Sequence, residues 1–303
     1  MTHKAARGAR GGVRSAGARA LKATALVLAG AALVAGCGGQ QAVPTDDAKA
    51  PGAGAGNGAG LSVPSQRHET PAAPTAPAAP AARTAPSIPE QTSKPDARLP
   101  APLVNMDIAH AAEDGGKAVN LTIDDGPDPV WTPKILKILK KNHAKAVFCM
   151  VGPQAEAHPE LVKRVVAEGH LLCDHSVSHD TGMDHKPENY QKDQILKAAR
   201  QIEKASGGVK PLYYRAPGGA FTPYSRQIAA AAGMRPVGWN VDSKDFEQPG
   251  AAAILRTVRN QLSNGPTLLF HDGGGDRSQT AAALGELLPW LRENGYAFSF
   301  PVR

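Results

Sequence analysis

The chain has 303 residues and a formal net charge of +7 at pH 7, with 42% hydrophobic and 20% charged residues. That length permits one large globular domain or two small ones. Lys4, Arg7, Arg10, Arg14, Arg19 and Lys22 carry six of those charges before residue 37 with no acid among them, so +1 is left for the rest. No basic stripe remains to neutralise phosphates, and a nucleic-acid partner is excluded.

In chain order, the basic start leads into "ATALVLAGAALVA", residues 23–35, and then Gly36 and Cys37. A positive n-region, a short apolar core and small residues beyond it make a secretory signal, and the core is too short to span a bilayer comfortably. "LVAGC", Leu33 to Cys37, also resembles a bacterial lipobox, which implies a lipidated Cys37 at the new N-terminus. The expected location is the outer face of a bacterial cell membrane. An ordinary signal cleaved nearby is the alternative. With no Arg-Arg pair, the general secretory route fits better than twin-arginine export.

Residues 37–102 read as the lipidated cysteine and a linker. Positions 38–102 hold 12 of the 26 prolines and no Phe, Trp or Tyr. A segment of that composition buries too little apolar surface to offset its ordering entropy. In polyproline form it would reach on the order of 200 Å. The folded domain is expected over 103–303.

That domain alternates. Strands are expected at 117–123, 144–152, 170–176, 211–214, 235–241, 266–271 and 296–300. Helices are expected at 131–142, 159–169, 188–208, 222–233, 251–263 and 278–294. In the first helix apolar residues fall three and four apart; the second has Pro near its start and Gly at its end. Such alternation argues for a parallel sheet, either a barrel or a doubly wound open sheet. In both, the site forms at the carboxyl ends of the strands.

The chemically unusual stretches fall at those ends. "LTIDDGPDP" places Asp124 and Asp125 side by side. "DHSVSH" places His175 and His179 four apart, a spacing that lets two imidazoles meet one ion. "YYRAPGG" supplies Arg215, "GWNVDSKDF" supplies Asp242 and Asp245, and "LLFHDGGG" supplies His271. A carboxylate beside the two histidines would complete a His/His/carboxylate zinc site. Adjacent residues leaving a strand point to opposite sides, so one aspartate can ligate while the other takes a proton from attacking water. Alone, "DDGPDP" reads equally well as a helix cap and turn. Arg215 can hold the base ionised, and "APGG" can bring backbone N–H groups to an oxyanion. Asp245 bonded to His271 would keep that imidazole protonated for a leaving group.

The order of these motifs resembles the polysaccharide deacetylase family, the NodB-homology or carbohydrate esterase 4 group, over about residues 117–300. "TIDD" matches the family's T-F-D-D, which implies Asp124 as catalytic base and Asp125 as metal ligand. "HSVSH" matches H-[ST]-x-x-H and implies His175 and His179 as the other ligands. "RAPGG" matches the arginine motif with Arg215 orienting the base, although Gly218 stands where an aromatic residue is usual. "DSKDF" matches D-x-x-D-W, with Asp245 paired to the catalytic histidine and Phe246 in the tryptophan place. "LLFHD" resembles L-x-H, with Leu269 at the acetyl-methyl pocket and His271 as general acid. Trp239 joins Gly218, Phe246 and Leu269 as a candidate groove residue.

The resemblance implies a deformed (β/α) barrel, a divalent metal (usually zinc) and removal of acetyl groups from an N-acetylated polysaccharide. Location points to N-acetylglucosamine or N-acetylmuramic acid units of peptidoglycan. The alternatives are an O-acetyl esterase on xylan-like glycans and a catalytically silent glycan-binding lipoprotein. Nothing points to an oligomer, so a monomer is expected. Cys149 and Cys173 lie in apolar runs, and the favoured reading is two buried free thiols, with a disulfide as the alternative.

Overall fold

The computed structural model describes residues 94–303. The expected signal segment, Cys37 and the linker up to residue 93 lie outside the described residues. From Asp96 onward the chain lies against the domain: Asp96 N–H donates to Gln227 Oε1 (2.7 Å), and Leu103 N–H donates to the Ala230 carbonyl (3.0 Å). No helix among the described residues is long and apolar enough to cross a membrane.

Eight strands form one sheet, paired in parallel throughout: β1 (Ala118–Asp124), β2 (Ala146–Met150), β3 (Leu171–Asp174), β4 (Tyr213–Tyr214), β5 (Arg235–Pro236), β6 (Val241–Asp242), β7 (Thr267–His271) and β8 (Ala297–Ser299). The order is β5-β4-β3-β2-β1-β7-β6, with β8 paired to the start of β1. Helices α1 (Trp131–Lys141), α2 (Gly152–Ala157), α3 (Pro159–Ala167), α4 (Glu188–Ser206), α5 (Pro223–Ala231), α6 (Ala251–Gln261) and α7 (Ser278–Glu293) connect them. This curled parallel sheet is the deformed (β/α) barrel expected from the motifs. Among the described strands its hydrogen bonding stays open between β5 and β6.

The stretch 235–241, expected as one strand, is two. β5 pairs with β4 at one edge of the sheet and β6 pairs with β7 at the other. Between them Gly238 N–H bonds to Ala109 and Asn240 N–H to Thr267, so the chain crosses the open side of the curl there. The short helix α2 was not expected; six residues are too few for a periodic signal.

All seven residues of β1 are buried, and its period-2 alternation gives its two faces different work. Val119, Leu121 and Ile123 join the main core with Ile135, Leu136 and Leu139 of α1 and Leu284, Leu287, Leu288 and Leu291 of α7. Asn120, Thr122 and Asp124 face inward. Asn120 Nδ2 donates to Thr267 Oγ1 (2.9 Å), and Thr122 Oγ1 donates to the Leu268 carbonyl (2.7 Å). The polar row climbs the barrel interior and ends at the site.

Cys149 and Cys173, favoured above as free thiols, form a disulfide. They are register partners on β2 and β3, so their side chains leave the sheet on the same face, with Cα atoms 4.1 Å apart. Both are fully buried, as their apolar runs imply. Pairing depends on register, which an apolar run does not reveal.

Candidate active site

Asp124 ends β1 and is 2% exposed. Arg215, which follows β4 and is fully buried, donates from Nη1 to Asp124 Oδ1 (2.7 Å) and to Thr122 Oγ1 (2.8 Å). Its Nη2 donates to the Gly238 carbonyl at 2.7 Å. Burial pulls the guanidinium pKa below its ordinary value, and the Asp124 charge opposes that pull. The arrangement is a buried ion pair with its remaining donors satisfied, the condition under which such a pair is tolerated.

Asp125 follows with φ +76°, a left-handed conformation that a non-glycine residue rarely holds. That turn swings its carboxylate away from Asp124 and toward the loop after β3. His179 Nε2 lies 3.1 Å and His175 Nε2 3.5 Å from Asp125 Oδ1. Ser176 and His179 are also left-handed, at φ +67° and +51°, which folds the loop back so that both rings face the aspartate. His175 Nδ1 is 2.8 Å from the Arg215 carbonyl. A carbonyl only accepts, so Nδ1 carries the proton and Nε2 presents its lone pair.

Asp125, His175 and His179 offer ligand atoms that all lie within 4.8 Å of one another. Asp125 Oδ1 is buried without an aligned hydrogen-bond donor, close as His179 is. An orphaned carboxylate oxygen beside a lone pair held outward fits a cation, and one oxygen with two imidazole nitrogens suits a divalent ion. Burial would raise the Asp125 pKa, but His179 and His175 outweigh it and hold the carboxyl well below the usual range. Burial lowers the pKa of His175, with the aspartates opposing.

On the other side of β1, His271 ends β7 and is the register partner of Asp124. Its Nδ1 is 2.7 Å from Asp245 Oδ1, and its backbone N–H donates to Asp245 Oδ2 (2.9 Å). Thr280 Oγ1 donates to Oδ2 (2.8 Å) and Ser243 Oγ to Oδ1 (3.0 Å). Burial opposes charge on His271, yet the bond to Asp245 and that residue's charge prevail and raise its pKa. Phe246, 44% exposed, stands edge-on to the imidazole at 5.6 Å. Leu269 lies two residues before His271 in β7, and Trp239 lies against the Arg215 guanidinium at 5.6 Å. Gly218 is left-handed at φ +60°, and a Cβ there would come 3.1 Å from Thr181 Cβ. Thr181 thus stands beside the place an aromatic side chain would leave.

The structure therefore brings together Asp124, Asp125, His175, His179, Arg215, Asp245 and His271. It leaves out Asp242, which pairs with Lys244 at 2.8 Å. Thr122, Ser243, Thr280 and Asp272 went unnoticed in the sequence. Thr122 was legible in the N-L-T-I-D alternation, and Asp272 as a carboxylate beside a strand-end histidine. Thr280, in the first turn of α7, carries no such signal. Burial, aided by the charges of Asp125, Asp124 and Asp128, pushes the Asp272 carboxyl up to about 7.

A curled parallel sheet with an Asp/His/His cluster and an Asp–His pair at its carboxyl ends defines a barrel hydrolase with a candidate metal centre. Residues 111–237 match the family described as polysaccharide deacetylase. A peptidoglycan-N-acetylglucosamine deacetylase of Bacillus cereus is 39% identical over 185 residues, covering 60% of this chain and 85% of the relative. A chitooligosaccharide deacetylase of a Bradyrhizobium species is 35% identical over 193 residues, covering 60% and 88%. Among solved structures, a peptidoglycan N-acetylglucosamine deacetylase bound to a naphthalenyl N-hydroxybenzamide superposes with a TM-score of 0.60 at 31% identity, covering 64% of this chain and 90% of that one. The chain belongs to the polysaccharide deacetylase family, hydrolases of non-peptide amide bonds.

Proposed function

We propose that this protein removes N-acetyl groups from peptidoglycan as an exported lipoprotein, with Asp124 as base and His271 as acid. The observation that carries the reading is the pairing of two differently held groups across β1. Asp124 is fixed by Arg215 at 2.7 Å, and its register partner His271 by Asp245 at 2.7 Å. An anchored carboxylate and a carboxylate-held imidazole, side by side, can take a proton from one atom and give one to another.

Asp124 accepts a proton from the water that attacks the acetyl carbonyl carbon. The oxyanion that forms is met by the Gly218 backbone N–H. With Nδ1 committed to Asp245, His271 donates from Nε2 to the sugar nitrogen as the C–N bond breaks. Acetate and a free amine leave. A divalent ion, zinc by its donor set, held by Asp125, His175 and His179 would supply carbonyl polarisation and a lowered water pKa. Leu269 would border the acetyl methyl, and Phe246, Trp239 and Gly218 the sugar.

The substrate rests on the lipobox and linker in the sequence, which would hold the domain outside a membrane, and on the peptidoglycan deacetylases among the relatives. Acetate release from purified peptidoglycan and from N-acetylglucosamine oligomers tests it, with zinc, with chelator and with Asp124→Asn. Metal-dependent release that vanishes in the variant is expected. Release from O-acetyl xylan alone would replace the reading with an esterase. No release from any substrate, with zinc bound, would make the protein a silent glycan binder.

A further inference from the structure

Asp125 holds an unfavourable backbone conformation and points its Oδ1 at two histidines, so something behind it must hold it there. The first six residues after His271 form that support. Asp272 is fully buried, and its backbone N–H donates to the Asp124 carbonyl at 3.0 Å. Its Oδ2 accepts from Thr132 Oγ1 at 2.5 Å, and Thr132 Oγ1 in turn accepts the Asp128 N–H at 2.8 Å. This closes a ring from the end of β1 through the first turn of α1 and back to β7. Its Oδ1 has no donor and fills the place where a Gly126 side chain would begin, 2.2 Å from an ideal Cβ.

The following glycines lie against Asp125 itself. A Cβ on Gly273 would come 2.3 Å from the Asp125 carbonyl oxygen, and one on Gly274 3.1 Å from Asp125 Oδ2. Arg277, 3% exposed, ties this loop down: Nε donates to the Gly273 carbonyl (2.7 Å) and Nη2 to the Gly274 carbonyl (3.1 Å). Backbone packs against the aspartate where side chains would displace it, and a buried guanidinium keeps that backbone in place.

We propose that Asp272 and Arg277 are positioning residues that hold Asp125 in its left-handed conformation, with Oδ1 aimed at His175 and His179. The inference rests on the reading of Asp125 as a metal ligand. Neither residue meets substrate; each acts through the loop that backs the aspartate.

The test is zinc affinity of the full-length protein in detergent, by competition with a chromogenic chelator, with the melting temperature of the zinc-free form alongside. Residues that orient metal ligands change affinity by about 10–100-fold, so Arg277→Gln and Asp272→Ala are each expected to weaken zinc by that order. Asp272→Asn keeps both the bulk and an acceptor for Thr132, and is expected to stay within about threefold of wild type, well short of that range. Gly274→Ala is the second route. It spares the core and keeps the Arg277 side chain, while its Cβ presses on Asp125 Oδ2 at 3.1 Å and on Arg277 Nη2 at 3.2 Å from a backbone held at φ +73°, and its zinc affinity falls likewise. In every weakened variant, saturating zinc is expected to restore most of the acetate-release kcat, which a general loss of structure would not allow.

Unchanged zinc affinity in both Arg277→Gln and Gly274→Ala would overturn the inference. So would a loss of affinity that accompanies unfolding of the zinc-free protein and is not reversed by zinc. If wild type binds no zinc, or His175→Ala binds it as well as wild type, the metal-ligand reading itself fails, a result distinct from either.

Discussion

On one flank of β1, Asp125, His175 and His179 converge with a buried carboxylate oxygen that no protein donor satisfies. On the other flank, Asp245 is filled on both oxygens by His271, Ser243 and Thr280. On the first flank Asp125 Oδ1 has His179 Nε2 at 3.1 Å without an aligned donor, and a buried acceptor left unmade costs about 1–3 kcal/mol. The second has both Asp245 oxygens satisfied within the protein. On the proposed reading, the contrast separates a candidate receptor for an ion from a group set in advance for proton transfer. Asp124 sits on the seam, oriented from one side by Arg215 and facing His271 on the other.

Breaking the receptor should have the largest effect. His175→Ala removes one of the three ligands proposed for the ion, and we expect zinc binding and acetate release to fall to background together, with chelator producing the same loss in wild type. Zinc titration of both forms checks this, and full turnover in the variant would contradict it. Breaking the completed flank should separate the two readouts. His271→Gln is expected to lower kcat by about 10²–10⁴-fold while zinc affinity and KM stay near wild type. An effect on KM alone would remove the general-acid role.

Smaller effects lie deeper. The disulfide joins β2 to β3, the strand that delivers His175, so replacing Cys149 and Cys173 together by Ser should destabilise the domain by about 2–4 kcal/mol. Denaturant unfolding measures it, and an unchanged midpoint would show that the sheet holds without the link. The smallest effect contrasts two histidines. His170 is buried at the start of the same strand side, its Nδ1 accepting the Ala146 N–H at 3.1 Å, and burial, with Lys145 assisting, lowers its pKa from 6.5 to about 4. In that window the unfolded chain binds the proton and the folded one does not, so its contribution is full above 6.5 and falls as pH drops toward 4. His271, with a raised pKa, contributes in the opposite sense: fully below its unfolded value, and lost as pH rises through the folded one. His170→Asn can keep the acceptor without titrating, so its melting temperature should decline less on acidification than that of wild type. Parallel curves would mean that another group sets the slope.

Much of the site was legible because its charged members stand at strand ends, where composition and position coincide. Asp124, Asp125, His175, Arg215 and His271 interrupt apolar runs, and an interruption is visible in one dimension. The supports were less legible because they depend on three. Thr280 reaches Asp245 from a helix 35 residues on, and the Cys149–Cys173 bond depends on which residues face across two strands. The split of 235–241 into two strands is hidden for the same reason. A short apolar run shows that a segment is buried but not which neighbour takes its hydrogen bonds. In this fold the two ends of that run belong to opposite edges of the sheet.

The alternation along β1 has a consequence for how this protein can change. Val119, Leu121 and Ile123 anchor the helices while Asn120, Thr122 and Asp124 line the interior, so a single inserted or deleted residue would exchange the two rows at once. Foldability and reactivity are inherited through this strand as one trait. Residues in the loops around Gly218, Trp239 and Phe246, by contrast, can vary without shifting the row that ends in Asp124.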